Sequence, residues 1–160
     1  MPLYSESFKH NDDEMLSEFY YENQFKQPEN IPFTHIHAYC FIDENNVVIF
    51  KTKKGTKLMA GGGLEEGETN LEALNRELLE EGQLELIGYD IIGYLITKNL
   101  THPEWSSIST RVVAKVKKLD SKVEDPDGDY LESEIVSYTD ALELCKSDNE
   151  QNMLSLAKGI

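Results

Sequence analysis

Three consecutive glycines, Gly61-Gly62-Gly63, stand shortly before a segment, Asn70 to Glu81, whose apolar residues recur at helical spacing. At about 100° per residue, Arg76, Glu77, Glu80 and Glu81 fall within an arc of roughly 140° on that helix. Leu71, Leu74 and Leu78 fill the adjoining sector. One face therefore packs on a sheet, and its neighbour gathers three carboxylates. Glu77 is three and four residues from Glu80 and Glu81, and each such like-charge pair costs a few tenths of a kcal/mol. The two later acids also lie in the last turn, where the helix dipole disfavours negative charge by about 0.3–1 kcal/mol. No lysine or arginine follows them in that turn. A hard divalent cation turns this penalty into attraction, since Mg²⁺ takes oxygen ligands. A solvated acidic face fits the helix alone equally well. The glycines favour the cation, because they let backbone groups approach a ligand where side chains would clash. Glu68 sits near the helix start, where an acid suits the dipole.

Around this segment the pattern is that of strands. His35 to Ile42 alternates, with Ile36, Ala38, Cys40 and Ile42 on one face and His35, His37, Tyr39 and Phe41 on the other. Asp43 to Asn46 is a turn, Val47 to Thr52 a second strand, and Lys57 to Ala60 a short third one leading into a glycine loop. Leu84 to Leu100 and Ile108 to Leu119 are β-rich, and Ile135 to Tyr138 is a short strand. A late helix starts near Thr139, and Asn149 to Lys158 is weakly helical. Many strands with one central and one late helix give a mixed sheet with helices packed on it, of α+β or α/β class.

Residues 1–31 read as an N-terminal extension ahead of a main domain over 32–160. Within it, Asp12 to Phe25 is expected to be partly helical, with Met15, Leu16, Phe19 and Tyr20 at helical spacing before Pro28 and Pro32. A lid, a frayed terminus and an arm joining a homodimer all fit this segment. An interaction protein working through Met15, Phe19 and Tyr20 is one reading of the whole chain.

Charge narrows the partners. The chain has 30 acidic and 15 basic residues among 160, a formal net charge of -15. A nucleic acid duplex needs a basic footprint and is excluded as a general partner. A small phosphate compound is not, because a bound cation reverses the local field. Two cysteines, Cys40 and Cys145, make no disulfide framework, and Cys40 reads as a core thiol. No apolar run approaches the roughly 18 residues of a membrane span, and the first residues lack a signal-peptide pattern. A cytoplasmic location is expected.

The segment from Gly62 to Leu84 resembles the Nudix box, G-x5-E-x7-R-E-U-x-E-E-x-G-U, where U is a large aliphatic. Gly62, Glu68, Arg76, Glu77, Leu78, Glu80, Glu81 and Leu84 match in register. The last motif glycine falls on Gln83, with Gly82 one place earlier, and Ala60 stands where the family often has proline. Either Gly82 ends the helix one residue sooner or Gln83 takes the left-handed turn. The resemblance implies an α/β/α sandwich over roughly Pro32 to Lys146. It implies that Glu77, Glu80, Glu81 and the Gly62 carbonyl bind Mg²⁺ or Mn²⁺, with Arg76 and Glu68 holding the carboxylates in place. It also implies a pyrophosphohydrolase in which water attacks phosphorus in a nucleoside diphosphate linked to another moiety. A Nudix-fold module that binds or senses a nucleotide without cutting it is the alternative, motivated by Gln83.

Outside the box, one further acid is expected, from Glu104, Asp127, Asp129, Glu132 and Glu134, with Glu132 favoured by its place before a strand and helix. Lys51, Lys53, Lys54 and Lys57 form a basic patch able to steer phosphate, although a solvated hairpin fits them as well. Trp105 is a candidate for stacking on a base, and Arg111 for reaching a phosphate; packing and an ion pair are their plainer roles. His35 and His37 have no third ligand in sequence and are not assigned to zinc. The acidic run Asp125 to Asp129 lacks the spacing of a calcium loop.

Overall fold

The computed structural model describes residues 1–120 and 130–160. Its strands are β1 (Tyr4–His10), β2 (Asp13–Tyr21), β3 (Phe33–Asp43), β4 (Asn46–Thr52), β5 (Gly55–Lys57), β6 (Ala60–Gly63), β7 (Leu84–Asn99), β8 (Ser107–Lys118) and β9 (Tyr130–Ser137). The helices are α1 (Asn70–Gly82), α2 (Tyr138–Leu144) and α3 (Asp148–Lys158). One mixed sheet runs in the order β1-β2-β7-β8-β3-β4-β5, with β6 also on β3 and β9 also on β4. The β3–β8 pair is parallel, and the other pairs are antiparallel.

The alternation read in β3 places its two faces in two cores. Ile36, Ala38 and Cys40 join Val48, Phe50, Val112 and Ala114 beneath Ala73, Leu74 and Leu78 of α1. Tyr39 and Phe41 join Val47, Ile49 and Phe19 against Ala141 of α2 and Met153, Leu154 and Ala157 of α3. Helices on both faces make the expected α/β/α arrangement. No helix among the described residues is long and apolar enough to cross a membrane.

The N-terminal segment corrects the expected helix. Asp13–Tyr21 is a strand paired to β7, and β1 folds back on it through a two-residue turn. That turn, Asn11-Asp12, has φ of 49° and 69°. Two positive angles mark the hairpin turn whose twist matches the strands, and Asn and Asp adopt it at low cost. The apolar residues at helical spacing are divided by the strand instead. Phe19 is fully buried in the second core, while Tyr20 points to the other face, edge-on to Phe25. The long β7 offers an open row of backbone groups, and pairing with it outweighs the weak helical preference of this acidic segment.

Other boundaries differ from expectation too: the strand expected over Lys57 to Ala60 is absent, because β5 ends at Lys57 and β6 starts at Ala60. The glycines form a strand rather than a loop: Gly61, Gly62 and Gly63 pair with His37, Ile36 and His35. The last strand begins at Tyr130, well before Ile135. Asp127 and Asp129, and the acidic run containing them, lie outside the described residues.

Helix α1 starts on a reciprocal cap. Thr69 Oγ1 accepts from the Glu72 N–H and Glu72 Oε1 from the Thr69 N–H, both at 3.2 Å. At the other end the helix runs through Gly82, and Gln83 takes the left-handed turn with φ 54° and ψ 47°. The motif geometry therefore survives without the motif glycine, and the end of the helix does not move toward Glu81. Gly82 is required for packing: a Cβ there would lie 2.8 Å from Phe50 Cε1 and 2.9 Å from Leu84 Cδ1. Ser133 Oγ donates to the Gly82 carbonyl at 3.1 Å and closes that end. A left-handed residue with a Cβ costs about 1–2 kcal/mol. Gln83→Gly is therefore expected to raise stability by roughly 0.5–1 kcal/mol once the glycine's chain entropy is deducted. A denaturant midpoint unchanged or lowered in that variant would contradict this account.

Candidate active site

Arg76 is the hub of the acidic face. Its Nε donates to Glu68 Oε2 at 2.8 Å and its Nη2 to Glu68 Oε1 at 2.9 Å, a bidentate pair. Nη1 reaches Glu77 Oε1 at 2.9 Å and Glu80 Oε2 at 3.5 Å, and Nη2 also donates to the Gly63 carbonyl at 3.1 Å. One guanidinium thus ties the glycine strand to three of the helix-side acids. Glu68 is held in turn by the Glu65 N–H at 2.9 Å. Hydrogen bonding from Arg76, with help from that amide, pushes the Glu68 carboxyl down to about 2. The same pairing raises the Arg76 guanidinium further above its ordinary range.

The remaining acids are positioned by the glycines. Glu77 and Glu81 are buried, and Glu81 Oε2 accepts from the Gly61 N–H at 3.1 Å. A Cβ on Gly62 would lie 2.7 Å from Glu77 Oε1, so the Glu77 carboxylate occupies the space a side chain would need. Gly61 has φ 141°, and a Cβ there would lie 2.0 Å from the Ile36 carbonyl oxygen. The glycines therefore serve close approach on two sides, to β3 and to α1.

Four carboxylates, Glu68, Glu77, Glu80 and Glu81, share one face with a single arginine. Two of them are buried in the folded chain, where unbalanced negative charge is costly. Hard oxygen donors in excess over positive charge suit Mg²⁺ or Mn²⁺, and the residues present fit such an ion. Among the described residues no three acids, histidines or cysteines are already gathered as a cation cage. Arg76 stands between Glu77 and Glu80, and Glu81 is engaged with Gly61.

The other sequence candidates lie apart from this face. Lys51 pairs with Glu134 at 2.9 Å and Glu132 at 3.3 Å. Glu132 and Glu134 stand opposite Lys51 and Ile49 in the β4–β9 register, on the face away from α1, whereas Ser133 between them bonds to α1. The structure thus brings Lys51 and Glu132 to each other rather than to the helix acids. Trp105 lies in the turn joining β7 and β8, is 63% exposed, and stacks on His102 with ring centroids 4.2 Å apart. Glu104, in the same turn, approaches His102 Nδ1 at 3.6 Å.

Arg111 lies on β8 opposite His37, on the face away from α1. His35 and His37 stack with centroids 6.1 Å apart, and His37 Nδ1 is 2.9 Å from Ser109 Oγ. Burial, then the charges of Arg111, His35 and Lys57, push His37 down to about 3. The ring is neutral in the folded chain, whereas in the unfolded chain it protonates below about 6.5. The unfolded state thus binds more protons between those values, so this contribution to stability is full above pH 6.5 and fades as pH falls toward 3. In His37→Gln, the fall of the melting temperature across that window should be shallower than in the wild type.

Sequence reasoning missed the strand character of the glycines and the bond from Gly61 to Glu81. It also missed that Arg111 shares a cavity with Tyr4, Tyr39 and Met59. Four residues so far apart in sequence carry no joint signal.

A family model described as the NUDIX domain matches residues 14–156. The chain belongs to the Nudix family. Solved structures agree with that fold. A pyrophosphohydrolase of Bacillus subtilis is 15% identical with a TM-score of 0.63, covering 82% of this chain and 77% of its own. A NUDIX hydrolase from Nitrosomonas europaea is 15% identical at a TM-score of 0.58, covering 80% and 89%. A structure described as an ADP compounds hydrolase is 17% identical at 0.55, covering 99% and 92%. No curated protein matches the chain in sequence. The family model includes β2, so the strand that replaces the expected helix lies within the matched region.

Proposed function

We propose that this Nudix protein is a metal-dependent hydrolase that cleaves a diphosphate bond in a nucleoside diphosphate linked to another moiety, by attack of water at phosphorus. One observation carries the reading: buried Glu77 and Glu81 are pressed against a glycine strand, with Glu80 and Glu68 joined to Glu77 through Arg76. The phosphate-anhydride chemistry named for the Bacillus subtilis structure supports it.

Glu77, Glu80, Glu81 and the Gly62 carbonyl would hold Mg²⁺ or Mn²⁺. When bound, such an ion neutralises diphosphate oxygens and lowers the pKa of a water. The chain's own work is positioning. Gly61 fixes Glu81 through its N–H, and Arg76 sets the rotamers of Glu77 and Glu80 while Glu68 fixes Arg76. Partners of this kind typically matter 10- to 100-fold in affinity or activity. Gln83 gives no support to the non-catalytic alternative, because the helix ends in the turn the motif requires.

The test is phosphate release from a panel of nucleoside-diphosphate-linked compounds with Mg²⁺ or Mn²⁺, comparing the wild type with Glu81→Gln. Turnover that the variant lacks supports the hydrolase. Ligand binding without turnover, unchanged in Glu81→Gln, would establish the binding module instead.

A further inference from the structure

The face of the sheet opposite α1 carries a cavity of about 180 Å³ whose lining includes Tyr4, Glu6, Tyr39, Met59, Arg111 and Glu150. Arg111 is its unsatisfied member. Among the described residues its Nε is shielded from solvent with no hydrogen-bond partner, and its Nη1 is 3.1 Å from the Met59 sulfur. Among the described residues no carboxylate forms a salt bridge with it. A thioether is a weak acceptor, and a shielded guanidinium nitrogen without a partner is costly. Arg111 is part-buried and lines the cavity, where a ligand's acceptors would pair with the guanidinium nitrogens that solvent reaches.

The lining chooses the ligand's chemistry. Two carboxylates, Glu6 and Glu150, share the cavity with one guanidinium. A second phosphate would meet net negative charge there, so a neutral group with acceptors for Arg111 and N–H donors for an acid fits better. Tyr4 and Tyr39 line the cavity, and a comparable cavity of about 150 Å³ accommodates a benzene-sized ring. Guanine presents adjacent O6 and N7 acceptors, which match an arginine fork, and N–H donors along its next edge. Adenine places a donor, N6–H₂, beside N7 and would leave one guanidinium N–H unpaired.

The place also suits a base. Arg111 lies opposite His37, and His37 opposite Gly61, so two strand spacings, roughly 10 Å, separate Arg111 from the glycine strand. Met59, in the cavity wall, is two residues from Gly61. Among the described residues β6 pairs with β3 alone, so a ligand can pass round its edge from one face to the other.

We infer that the Arg111 cavity is the base pocket of the substrate and that it selects a guanine-type base over adenine. This rests on the diphosphate-hydrolase reading for its link to catalysis, and its test is arranged to fail separately. Calorimetric binding of GMP and AMP is measured without divalent metal, in the wild type and in Arg111→Met. The two ligands carry the same phosphate, so their difference reads the base. GMP should bind about 5- to 140-fold more tightly, the value of one bidentate arginine–base pair. Arg111→Met should abolish that difference and raise the melting temperature, because it removes a shielded, unpaired charge; a purely structural arginine would lower it. Should that variant fail to fold, Arg111→Lys, which keeps the charge and loses the fork, must lose the preference. Equal affinities, tighter AMP, no binding of either, or a preference surviving in the variants would overturn the inference. So would inorganic phosphate displacing GMP from the wild type with an affinity that Arg111→Met abolishes, since the cavity would then be an anion site. Guanine selectivity without turnover on the Mg²⁺ panel would sink the hydrolase reading alone, and turnover without base preference would sink this one alone.

Discussion

Glu81→Gln is expected to lower turnover by roughly 10²- to 10³-fold while leaving the chain folded and slightly more stable in the absence of metal. The amide oxygen of glutamine still accepts from the Gly61 N–H, so the 3.1 Å contact that seats residue 81 is preserved. What disappears is one negative charge beside three other carboxylates that share one arginine. Charge stabilisation by a catalytic metal is worth several kcal/mol, and each 1.36 kcal/mol is tenfold in rate. In the metal-free chain the same change relieves like-charge repulsion with Glu77 and an unfavourable interaction with the helix C-terminus, by about 0.5–1 kcal/mol. The signature is therefore a pair of opposite effects. Melting temperature should rise without metal, and the further rise that Mn²⁺ gives the wild type should shrink or vanish. A variant that loses activity because it unfolds would show a lower melting temperature under both conditions, and that would refute the assignment of Glu81 to the metal.

Gly61→Ala should be among the most destabilising single changes in the protein, costing about 2–6 kcal/mol. A residue with a Cβ is strained at φ 141°, which costs on the order of 1–3 kcal/mol. The methyl would also stand 2.0 Å from the Ile36 carbonyl oxygen and 2.7 Å from the His37 Cα. Both are backbone atoms, so no rotamer change relieves the overlap, and overpacking of this kind adds about 1–3 kcal/mol. The β3–β6 pairing must open, and the Gly61 N–H then leaves Glu81. Gly67→Ala is the control. Its φ of 77° is also unfavourable, but nothing lies within 4 Å of the added carbon, so only about 1–2 kcal/mol is expected. Denaturant midpoints of the two variants measure the difference directly. Similar losses at both positions would show that close approach at β6 contributes little.

The boundary between what was legible and what was not follows the range of the interactions involved. Helix α1 was legible from Asn70 onward because its determinants are local: leucines on one face, and acids three and four residues apart. The matched positions from Gly62 to Leu84 came from the same short stretch, and the resemblance they carry implied that Arg76 holds carboxylates. Its bonds to Glu68, Glu77, Glu80 and Gly63 are read from the structure. The two faces of β3 were legible because strand alternation is a property of neighbours in sequence. Strand partners are not. Asp13–Tyr21 carries a pattern compatible with a helix, and its conformation is decided by β7, some 80 residues later, with only the Asn11-Asp12 turn as a local hint.

The same reason governs the site. The sequence by itself determined the acidic helix face, the glycines and the family. Tertiary structure alone decided that the glycines form a strand on β3, that Glu81 takes the Gly61 N–H, and that Gln83 adopts the glycine's turn. It also decided that Lys51 and Glu132 meet each other instead of the helix acids, and that Arg111 opens on a cavity with Tyr4, Tyr39 and Met59. Local backbone geometry repeats with the period of the helix or strand and is written in adjacent residues. Which strand pairs with which, and so which distant side chains share a cavity, is settled by burial and backbone hydrogen bonding over the whole sheet.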